Sequence, residues 1–590
     1  MHTFRVSRRR LALTLFAVFA IVTVFGVRLV DIQLVQADEL TKQAQDRQVR
    51  TVTTYGTRGN IVDSNGVVLA DSVDRFDITA SPKSASPDGY DHRNADGTKT
   101  HVSLADAISR IAQVTGAAPQ TLYSALTAKP DSDFAYLVKG VKLDVFNKVK
   151  ALKIPWVYSE PHPARTYPNG AVAGNLVGFV GTDGPQAGTE LKQNACLAGT
   201  NGSSSYETSA DGVRLPGSTV VTKAAKDGGT ITLTIDSNLQ WFAQQTLAQQ
   251  AQATGAQWGT AMIVRVSDGH IMAAADYPSV DPNDRNSVSP DSLGARSFTS
   301  PYEPGSIMKP ATVAGLVDKG LVTASTPVVV PSRFTDGLPK GSYIKDAFAH
   351  PTEHWTVAGV IMNSSNIGIA ELTKLESEKD RYANLRAFGL GSKTAADFLG
   401  EDPGDLIPPD KVDSITTVTQ QFGQGMTATS AQIASLYQTL GNDGLRLPLT
   451  LIDSCTAADG TVTHPTSGTP TRAVSASAAQ EVRQMMETVT TMGSLRNIIN
   501  IPGYRIASKS GTAQVADANG RYGSDYIVSV AGLVPADRPQ YAVIVTLAKP
   551  ATIKTSAAAA PAYATLMKQV IKTYRITPST TPAPNVPVVW

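Results

Sequence analysis

The chain has 590 residues, which is more than a single domain of ordinary size requires. Its formal net charge is only +2, charged residues make up 17% of it, and no basic stripe is visible, so composition argues against a nucleic-acid partner. Apolar residues, at 42%, are sufficient for packed cores.

The N-terminus carries a basic cluster followed by an uncharged apolar run. The cluster consists of Arg5, Arg8, Arg9 and Arg10, and the run extends from Leu11 to Val27 and ends at Arg28. As a helix this run spans roughly 26 Å, slightly less than a hydrocarbon core of about 30 Å. Because basic residues stay on the cytoplasmic side, we predict a cytoplasmic tail at 1–10, a transmembrane anchor at 11–31 and an exported chain beyond. The alternative is a signal peptide cleaved at Val35-Gln36-Ala37, but charged residues separate that site from the run.

Residues 32–225 are predicted to form a β-rich domain, whose first part includes a polar segment at 40–49 that follows the anchor. Asp63-Ser64-Asn65-Gly66 lies between apolar β-branched residues, a pattern typical of a β-hairpin without catalytic chemistry. Leu104–Val114 has helical periodicity, and the stretch 196–218 is rich in Gly, Ser and Asn, which favours loops.

Near residue 228 the sequence changes character, and residues 226–575 are predicted to form a second domain of mixed helices and strands. The predicted elements are a strand at 230–236, a helix at 239–251 capped by Asp236, a hairpin of strands 259–265 and 270–275, and a helix at 559–574. The Pro- and Thr-rich stretch 576–590 is predicted to be a flexible tail.

Cys196 and Cys455 are the two cysteines of the chain, and an exported location allows a disulfide. They fall on opposite sides of the predicted boundary between the two domains. We therefore expect two separate thiols, with a bridge as the alternative.

His350-Pro351-Thr352-Glu353-His354 fits the H-x-x-E-H pattern of one group of zinc peptidases. That pattern needs both histidines on one continuous helix, and Pro351 interrupts such a helix immediately after the first histidine. We expect polar lining or the start of a helix near the active site, and neither a metal nor a cofactor.

The stretch around Ser306 is the strongest candidate for a nucleophile. Ser306 and Lys309 lie one turn apart if they are helical, Gly305 permits a sharp turn before them, and Ala311–Val317 reads as a helix. A serine hydroxyl needs a neighbouring base, and an unprotonated lysine can be that base. A second S-x-x-K copy, Ser342–Lys345, has no helical run behind it and is interpreted as a turn.

Two further motifs follow in the chain. Ser364-Ser365-Asn366 lies in a short turn between two apolar helical pieces. Lys509-Ser510-Gly511-Thr512 continues a predicted strand, where Gly511 permits close approach of a substrate backbone. S-x-x-K, S-x-N and K-[ST]-G in this order are a motif set of penicillin-binding proteins and class A β-lactamases.

These motifs and their flanks resemble the class B penicillin-binding proteins, especially the division-specific, FtsI-like peptidoglycan transpeptidases. Further stretches that are similar to the family are Arg58-Gly59-Asn60-Ile61, Tyr302-Glu303-Pro304-Gly305-Ser306, Gln424-Gly425-Met426 and Lys509-Ser510-Gly511-Thr512-Ala513-Gln514. The resemblance implies an α+β chain with a single N-terminal transmembrane helix, an elongated β-rich pedestal domain of the dimerisation type at 32–225, and a transpeptidase domain at 226–575. That second domain would have the antiparallel sheet and flanking helices of serine β-lactamases.

The resemblance also implies an enzyme that cross-links stem peptides through a serine acyl-enzyme, in septal wall synthesis, and that β-lactams inhibit covalently. The implied catalytic residues are Ser306, Lys309, Ser364, Asn366 and Lys509, with Ser510, Gly511 and Thr512 binding substrate. Lys509 is expected to help lower the pKa of Lys309. Implied partners are a membrane glycosyltransferase, divisome proteins and the cytoplasmic membrane. Alternatives are an elongation-specific or resistance transpeptidase, a D,D-carboxypeptidase or β-lactamase, and a non-catalytic sensor or scaffold.

Overall fold

The computed structural model describes residues 3–39, 49–94, 96–161, 163–181, 183–208, 215–465, 468–516 and 521–590. The chain forms two compact units, Met1–Thr57 with Gly199–Asp227, and Arg58–Ala198 with Gly228–Trp590. Most of the polar segment predicted at 40–49 lies outside the described residues.

The first unit contains the N-terminal helix, Thr3–Val30, which a π-helical turn, Asp31–Val35, extends. Within the described residues, Arg8–Val35 is the one helical segment long and apolar enough to cross a membrane. It covers the anchor predicted at 11–31. The same unit holds an antiparallel sheet of three strands, in the order Val49–Thr54, Gly202–Glu207 and Val220–Lys223.

The second unit begins with a small α+β layer. An antiparallel sheet, in the order Ala135–Val141, Phe76–Ala80 and Val157–Pro161, accompanies the helices Leu104–Thr115, Pro119–Thr127 and Leu143–Ala151. Ile78, Ile111, Leu122 and Trp156 are fully or almost fully buried in its core. The helix predicted at 104–114 is confirmed, and Ser103 caps it by accepting from the Asp106 N–H.

A six-stranded mixed sheet joins segments that lie far apart in the sequence. Its order is Val462–Thr463, Ile452–Thr456, Thr230–Leu233, Ile61–Val62, Val68–Val73 and Ala164–Thr166. The hairpin predicted at Asp63–Gly66 is confirmed, because Asp63 Oδ1 accepts from the N–H groups of Asn65 and Val67, both at 2.8 Å. The sheet draws strands from both sides of residue 226, so that position marks a change along the sequence and not a separation in space.

The prediction of two separate thiols is wrong. Cys196, in the short helix Asn194–Leu197, forms a disulfide with Cys455 in the strand Ile452–Thr456. Both cysteines belong to the second unit. The prediction failed because it treated a boundary in the sequence as a distance in space.

The core of the second unit is an antiparallel five-stranded sheet. Its order is Ile271–Tyr277, Trp258–Arg265, Tyr541–Ala548, Tyr522–Val534 and Ala507–Ala516, the last of which we call the edge strand. Helices Ser237–Thr254 and Ala560–Thr573 pack on one face, and the helices that carry the first two motifs lie on the other side. Along one central strand Ala261 and Ile263 belong to one hydrophobic cluster and Met262 and Val264 to the other, as strand alternation requires.

Several predicted elements of this domain are confirmed. Asp236 caps the helix Ser237–Thr254 by accepting from the Asn238 and Leu239 N–H groups, and the predicted hairpin and the helix near 559–574 are present. Other helices of the described chain are Gly174–Val177, Gly188–Lys192, Arg296–Thr299, Lys309–Asp318, Val357–Asn363, Asn366–Thr373, Glu378–Ala387, Thr416–Thr419, Ser430–Gly441, Ala476–Thr491 and Arg496–Ile499. Other strand pairs are Tyr90–Arg93 with Lys99–Val102, Val180–Gly181 with Gly184–Pro185, Pro327–Val330 with Glu353–Thr356, and Leu445–Arg446 with Thr471–Arg472.

The C-terminal stretch differs from the flexible tail that its composition predicts. Thr356 N–H donates to Val588 O at 3.2 Å, Thr356 Oγ1 donates to Pro587 O at 2.7 Å, and Trp590 N–H donates to His354 O at 3.2 Å. The tail therefore lies along the strand Glu353–Thr356, whose free edge supplies the hydrogen-bonding groups that composition does not reveal.

Candidate active site

The turn that presents Ser306 follows from its glycine and proline residues. Gly305 has φ +60°, which favours glycine, and its N–H donates to Gly423 O at 2.9 Å. A 3₁₀ turn, Gly305–Met308, leads into the helix Lys309–Asp318. The helix begins earlier than predicted, so Pro310 lies in its first turn, where a missing N–H costs no intrahelical hydrogen bond. Ser306 is partly exposed, whereas Lys309 is fully buried.

The Lys309 amine is held by the second motif. Its Nζ donates to Asn366 Oδ1 at 2.8 Å and to the carbonyl oxygen of Ser364, and lies 3.5 Å from Ser364 Oγ. Burial lowers the pKa of Lys309 to about 7, against an opposing effect of the Asp346 carboxylate. An amine with this pKa is substantially unprotonated near neutral pH and can accept a proton.

Ser364 occupies a turn of unusual backbone conformation. It follows the helix Val357–Asn363 with φ +58° and ψ +35°, a left-handed conformation that costs a non-glycine residue about 1–2 kcal/mol. The next residue, Ser365, caps the helix Asn366–Thr373 by accepting from the Gly368 N–H at 2.8 Å. The two helices therefore fix the turn from both sides, and its carbonyl and hydroxyl both face the lysines.

Lys509 approaches the same hydroxyl from the edge strand. Its Nζ donates to Ser364 Oγ at 2.8 Å and to Ser510 O at 2.9 Å, and the residue is fully buried. Burial and the positive charge of Lys309 hold the pKa of Lys509 well below its usual value. The sequence-based expectation named Lys509 as a cause of the low pKa of Lys309; the main cause is instead burial.

The edge strand lies close to the nucleophile turn because position 511 is glycine. A Cβ at Gly511 would lie 3.0 Å from Ile307 Cγ2 and 3.2 Å from Pro304 O, tighter than ordinary contacts. Ser510 and Thr512 are partly exposed on either side of it, and Thr512 Oγ1 accepts from the Ser556 N–H at 3.3 Å. One residue from each of the three sequence motifs therefore lies at the Ser364 hydroxyl, namely Lys309, Ser364 itself and Lys509.

Sequence reasoning missed Asp346, which immediately follows the second S-x-x-K copy. Its Oδ1 accepts from the Asn366 N–H at 2.5 Å and the Ile367 N–H at 3.0 Å, and its Oδ2 accepts from Ser365 Oγ at 2.6 Å. The copy is not helical, and the turn lies just before it, where the Ser342 N–H donates to Pro339 O at 2.9 Å, while Ile344 forms an isolated β-bridge with Phe334. The Lys345 carbonyl accepts from Asn366 Nδ2 at 3.2 Å. The one sequence feature that could have identified Asp346 is its carboxylate, which can stabilise a helix N-terminus. No neighbouring residue, however, indicates that this helix begins at Asn366.

Glu303 is a second residue that sequence reasoning left without a role. Its Oε1 accepts from the Gly425 N–H and from Tyr522 Oη, both at 2.8 Å, so it ties the nucleophile turn to two neighbouring segments. Its Oε2 is buried without a hydrogen-bond partner among the described residues. Burial raises the pKa of Glu303 above its ordinary value.

The H-x-x-E-H pattern does not lie on one helix. His350 is in a loop, where Nε2 lies 3.0 Å from Asp346 Oδ2, while Glu353 and His354 belong to a strand that leads into the helix Val357–Asn363. His354 packs against Trp590, with ring centroids 4.9 Å apart. In the described ranges no group of three potential ligands could hold a metal ion.

The fold and the three converging motifs define the class of penicillin-recognising serine enzymes. Comparison with known families agrees: residues 259–568 match the penicillin binding protein transpeptidase domain, and residues 53–233 match the penicillin-binding protein dimerisation domain. The chain belongs to the penicillin-binding proteins, within their FtsI-like class B branch. The predicted family and fold class are confirmed.

Individual relatives cover nearly the whole chain. The penicillin-binding protein PbpB of Mycolicibacterium smegmatis is 31% identical over 96% of this chain and 91% of its own length. The peptidoglycan D,D-transpeptidase FtsI of Escherichia coli K12 is 29% identical over 93% of this chain and 89% of its own. A peptidoglycan synthetase from Bifidobacterium adolescentis is 31% identical with a TM-score of 0.72, covering 92% of this chain and 100% of the solved one. Penicillin-binding protein 3 of Mycobacterium tuberculosis with ampicillin is 26% identical with a TM-score of 0.70, covering 91% and 100%.

Proposed function

We propose that this chain is a membrane-anchored peptidoglycan D,D-transpeptidase that cross-links stem peptides during septal wall synthesis. The observation that carries the proposal is the position of Ser364 Oγ, 2.8 Å from the Lys509 amine and 3.5 Å from the Lys309 amine. A hydroxyl that accepts from one amine can donate to the other. This arrangement supports proton transfer between Ser306 and a leaving group.

In the first half-reaction Ser306 Oγ attacks the carbonyl carbon of the penultimate D-alanine, and neutral Lys309 takes the hydroxyl proton. The oxyanion is stabilised by the backbone N–H groups of Ser306 and Thr512. As the C–N bond breaks, the proton passes through Ser364 to the departing D-alanine amine, which leaves an ester on Ser306. Asn366 holds Lys309 in register through its Oδ1 contact of 2.8 Å.

Binding of the donor peptide depends on the edge strand. Burial and the charge of Lys309 both lower the pKa of Lys509, whereas the terminal carboxylate of a bound peptide favours the protonated amine, so the bound carboxylate and a protonated Lys509 stabilise each other. Ser510 and Thr512 add hydroxyl contacts, and Gly511 leaves room for the substrate backbone. An amine from a second stem peptide then attacks the ester, and Lys309 removes its proton. The bond between the acyl carbon and Ser306 Oγ breaks as the cross-link forms, and the proton passes from Lys309 to Ser306 Oγ.

A β-lactam presents a strained amide and a carboxylate to the same groups, so it acylates Ser306. The direct test is covalent labelling of the full-length chain in detergent by a fluorescent penicillin. Ser306→Ala abolishes labelling, while Ser342→Ala, the serine of the second S-x-x-K copy, is the matched control and labels normally. Labelling of Ser306→Ala would refute the nucleophile assignment.

The acceptor and the cellular role need separate measurements. Supplied with stem peptides, a transpeptidase yields cross-linked dimer, whereas a carboxypeptidase releases D-alanine alone. The septal role is supported by the relatives named FtsI; depletion should give filaments, and rounding or bulging would indicate elongation instead. A membrane glycosyltransferase and divisome proteins are the proposed partners, and a fluorescent fusion should localise with them at the septum.

The proposed topology places the N-terminus in the cytoplasm and the catalytic domain outside the membrane. The disulfide between Cys196 and Cys455 supports this orientation, since disulfides persist in oxidising compartments. The apolar segment Arg8–Val35 serves as an uncleaved anchor. Mass spectrometry of the protein from membranes tests this: an intact N-terminus is expected, and cleavage near residue 37 would show a signal peptide.

A further inference from the structure

The turn of the second motif is anchored by one buried carboxylate. Asp346 accepts three hydrogen bonds, from the Asn366 N–H, the Ile367 N–H and Ser365 Oγ, and its side chain is fully buried. All three donors flank Ser364 or belong to the helix that starts at Asn366. Both oxygens of the Asp346 side chain therefore hold the turn and the start of this helix in place.

His350 faces this carboxylate with one ring nitrogen and a carbonyl with the other. Its Nε2 lies 3.0 Å from Asp346 Oδ2, and its Nδ1 lies 2.6 Å from Pro351 O. A carbonyl oxygen and a carboxylate oxygen can only accept, so both ring nitrogens must donate. Both contacts can be hydrogen bonds at the same time only when the imidazole carries both protons. Its side chain is only 5% exposed, and the rings of Phe348 and Trp355 lie beside it with centroids 5.4 Å away.

We infer that His350 is a positioning residue, which as an imidazolium paired with Asp346 fixes the Ser364–Asn366 turn against Lys309. The inference rests on the proposed function, because it concerns the proton transfer that Lys309 performs there. It also gives the loop after the second S-x-x-K copy, and the first histidine of the H-x-x-E-H pattern, a role in the site.

The pair also affects the charge balance of the site. The Asp346 carboxylate favours the protonated form of Lys309, and a positive charge on the other side of Asp346 weakens that attraction. The other charged groups around the turn are Lys509, from the edge strand, and Lys345, exposed on the loop of Asp346. Neither forms an ion pair with Asp346 in the described part of the chain, so His350 is the group whose loss leaves the carboxylate without its direct ionic partner. Neutralising His350 should therefore make Lys309 harder to deprotonate.

The test measures the second-order rate of acylation of the full-length chain in detergent by a fluorescent penicillin between pH 5.5 and 9. His350→Gln keeps a donor for Asp346 but removes the charge. We expect the midpoint of its acid limb to move up by about half a pH unit, which makes acylation about threefold slower on that limb and leaves the alkaline plateau nearly unchanged. His350→Lys should restore the wild-type midpoint. His354→Gln, on the neighbouring strand and without contact to Asp346, is the matched control and should behave as wild type.

A uniform loss of rate at every pH, with an unchanged midpoint, would show a merely structural role and overturn the inference. If His350→Gln does not fold, ¹⁵N NMR of histidine-labelled wild type measures the protonation of the two His350 ring nitrogens directly. The His350 signals are assigned by their loss in His350→Lys. Two protonated ring nitrogens support the inference, and a neutral tautomer overturns it. Failure of the wild type to react with penicillin would instead reject the proposed function itself.

Discussion

The pH dependence of acylation follows from the environment of one amine. Burial lowers the pKa of Lys309 from its ordinary 10.5 to about 7, and only the neutral amine can take the Ser306 proton. The neutral fraction of a group with this pKa is about 9% at pH 6 and about 91% at pH 8. The acylation rate should therefore rise about tenfold over this interval and level off above pH 8.

An unperturbed lysine would behave differently. With a pKa of 10.5, the neutral fraction at pH 8 is about 0.3%, and the rate would rise by about a hundredfold from pH 6 to pH 8 with no plateau. The size of the rise in rate between pH 6 and pH 8, and the presence or absence of a plateau, thus distinguish a buried base from a solvated one. Stopped-flow or gel-based rates with a fluorescent penicillin supply the profile, and thermal unfolding at each pH confirms that the chain stays folded.

Lys309→Arg gives the complementary perturbation, because a guanidinium keeps the positive charge but does not deprotonate. Acylation should fall by about 10²–10⁴-fold at every pH and lose its acid limb. A wild-type rate that is flat between pH 6 and 8, or that climbs tenfold per unit up to pH 9, would refute the assignment of Lys309 as the base.

Three further predictions concern stability and positioning. Replacing Cys196 and Cys455 by serine should cost about 2–4 kcal/mol, because the bridge closes a sequence separation of 259 residues; reductant should lower the Tm of wild type and leave that of the double variant unchanged. Tyr522→Phe removes a donor from the partly buried Glu303 carboxylate and should lower stability by about 0.5–1.5 kcal/mol and slow acylation, whereas Tyr343→Phe, at a similarly exposed tyrosine with no hydrogen bond to Glu303, should do neither. Deleting 586–590 removes the hydrogen bonds to the strand Glu353–Thr356 and should lower Tm; an unchanged Tm would mean that the tail contributes nothing.

The parts of the site that sequence predicts are those encoded locally. The spacing of Ser306 and Lys309, and the turn signal of Gly305, depend on neighbouring residues and so are readable from the chain. The convergence of Ser364 and Lys509 on Lys309 depends on the tertiary structure. In the sequence, only the set of motifs and the family resemblance indicated it. Asp346 was not predicted because its partners lie about 20 residues away, beyond the strand Glu353–Thr356 and the helix Val357–Asn363, so no local pattern links it to them.

The two failed predictions share a physical origin. Composition indicated a flexible tail, but the hydrogen-bonding partner of Val588 is Thr356, on a strand more than 200 residues earlier. The cysteines likewise meet because sheet pairing brings distant segments together, with Thr230–Leu233 lying between Ile452–Thr456 and Ile61–Val62. Long-range strand pairing leaves almost no trace in local composition, so sequence reasoning was weakest where backbone partners are distant.

Burying two lysines around one hydroxyl costs free energy of desolvation, and the contacts of the two amines indicate what this burial achieves. If both amines carried protons, desolvation and mutual repulsion would add, so the site favours a state with one charge. Asp346 favours a proton on Lys309, while an imidazolium at His350 would weaken that effect, and the carboxylate of a bound peptide would favour a proton on Lys509, beside Ser510. The nucleophile turn then faces a neutral base and the peptide carboxylate faces a cation. That division of charge is what acyl transfer to Ser306 requires, and a single profile of rate against pH can disprove it.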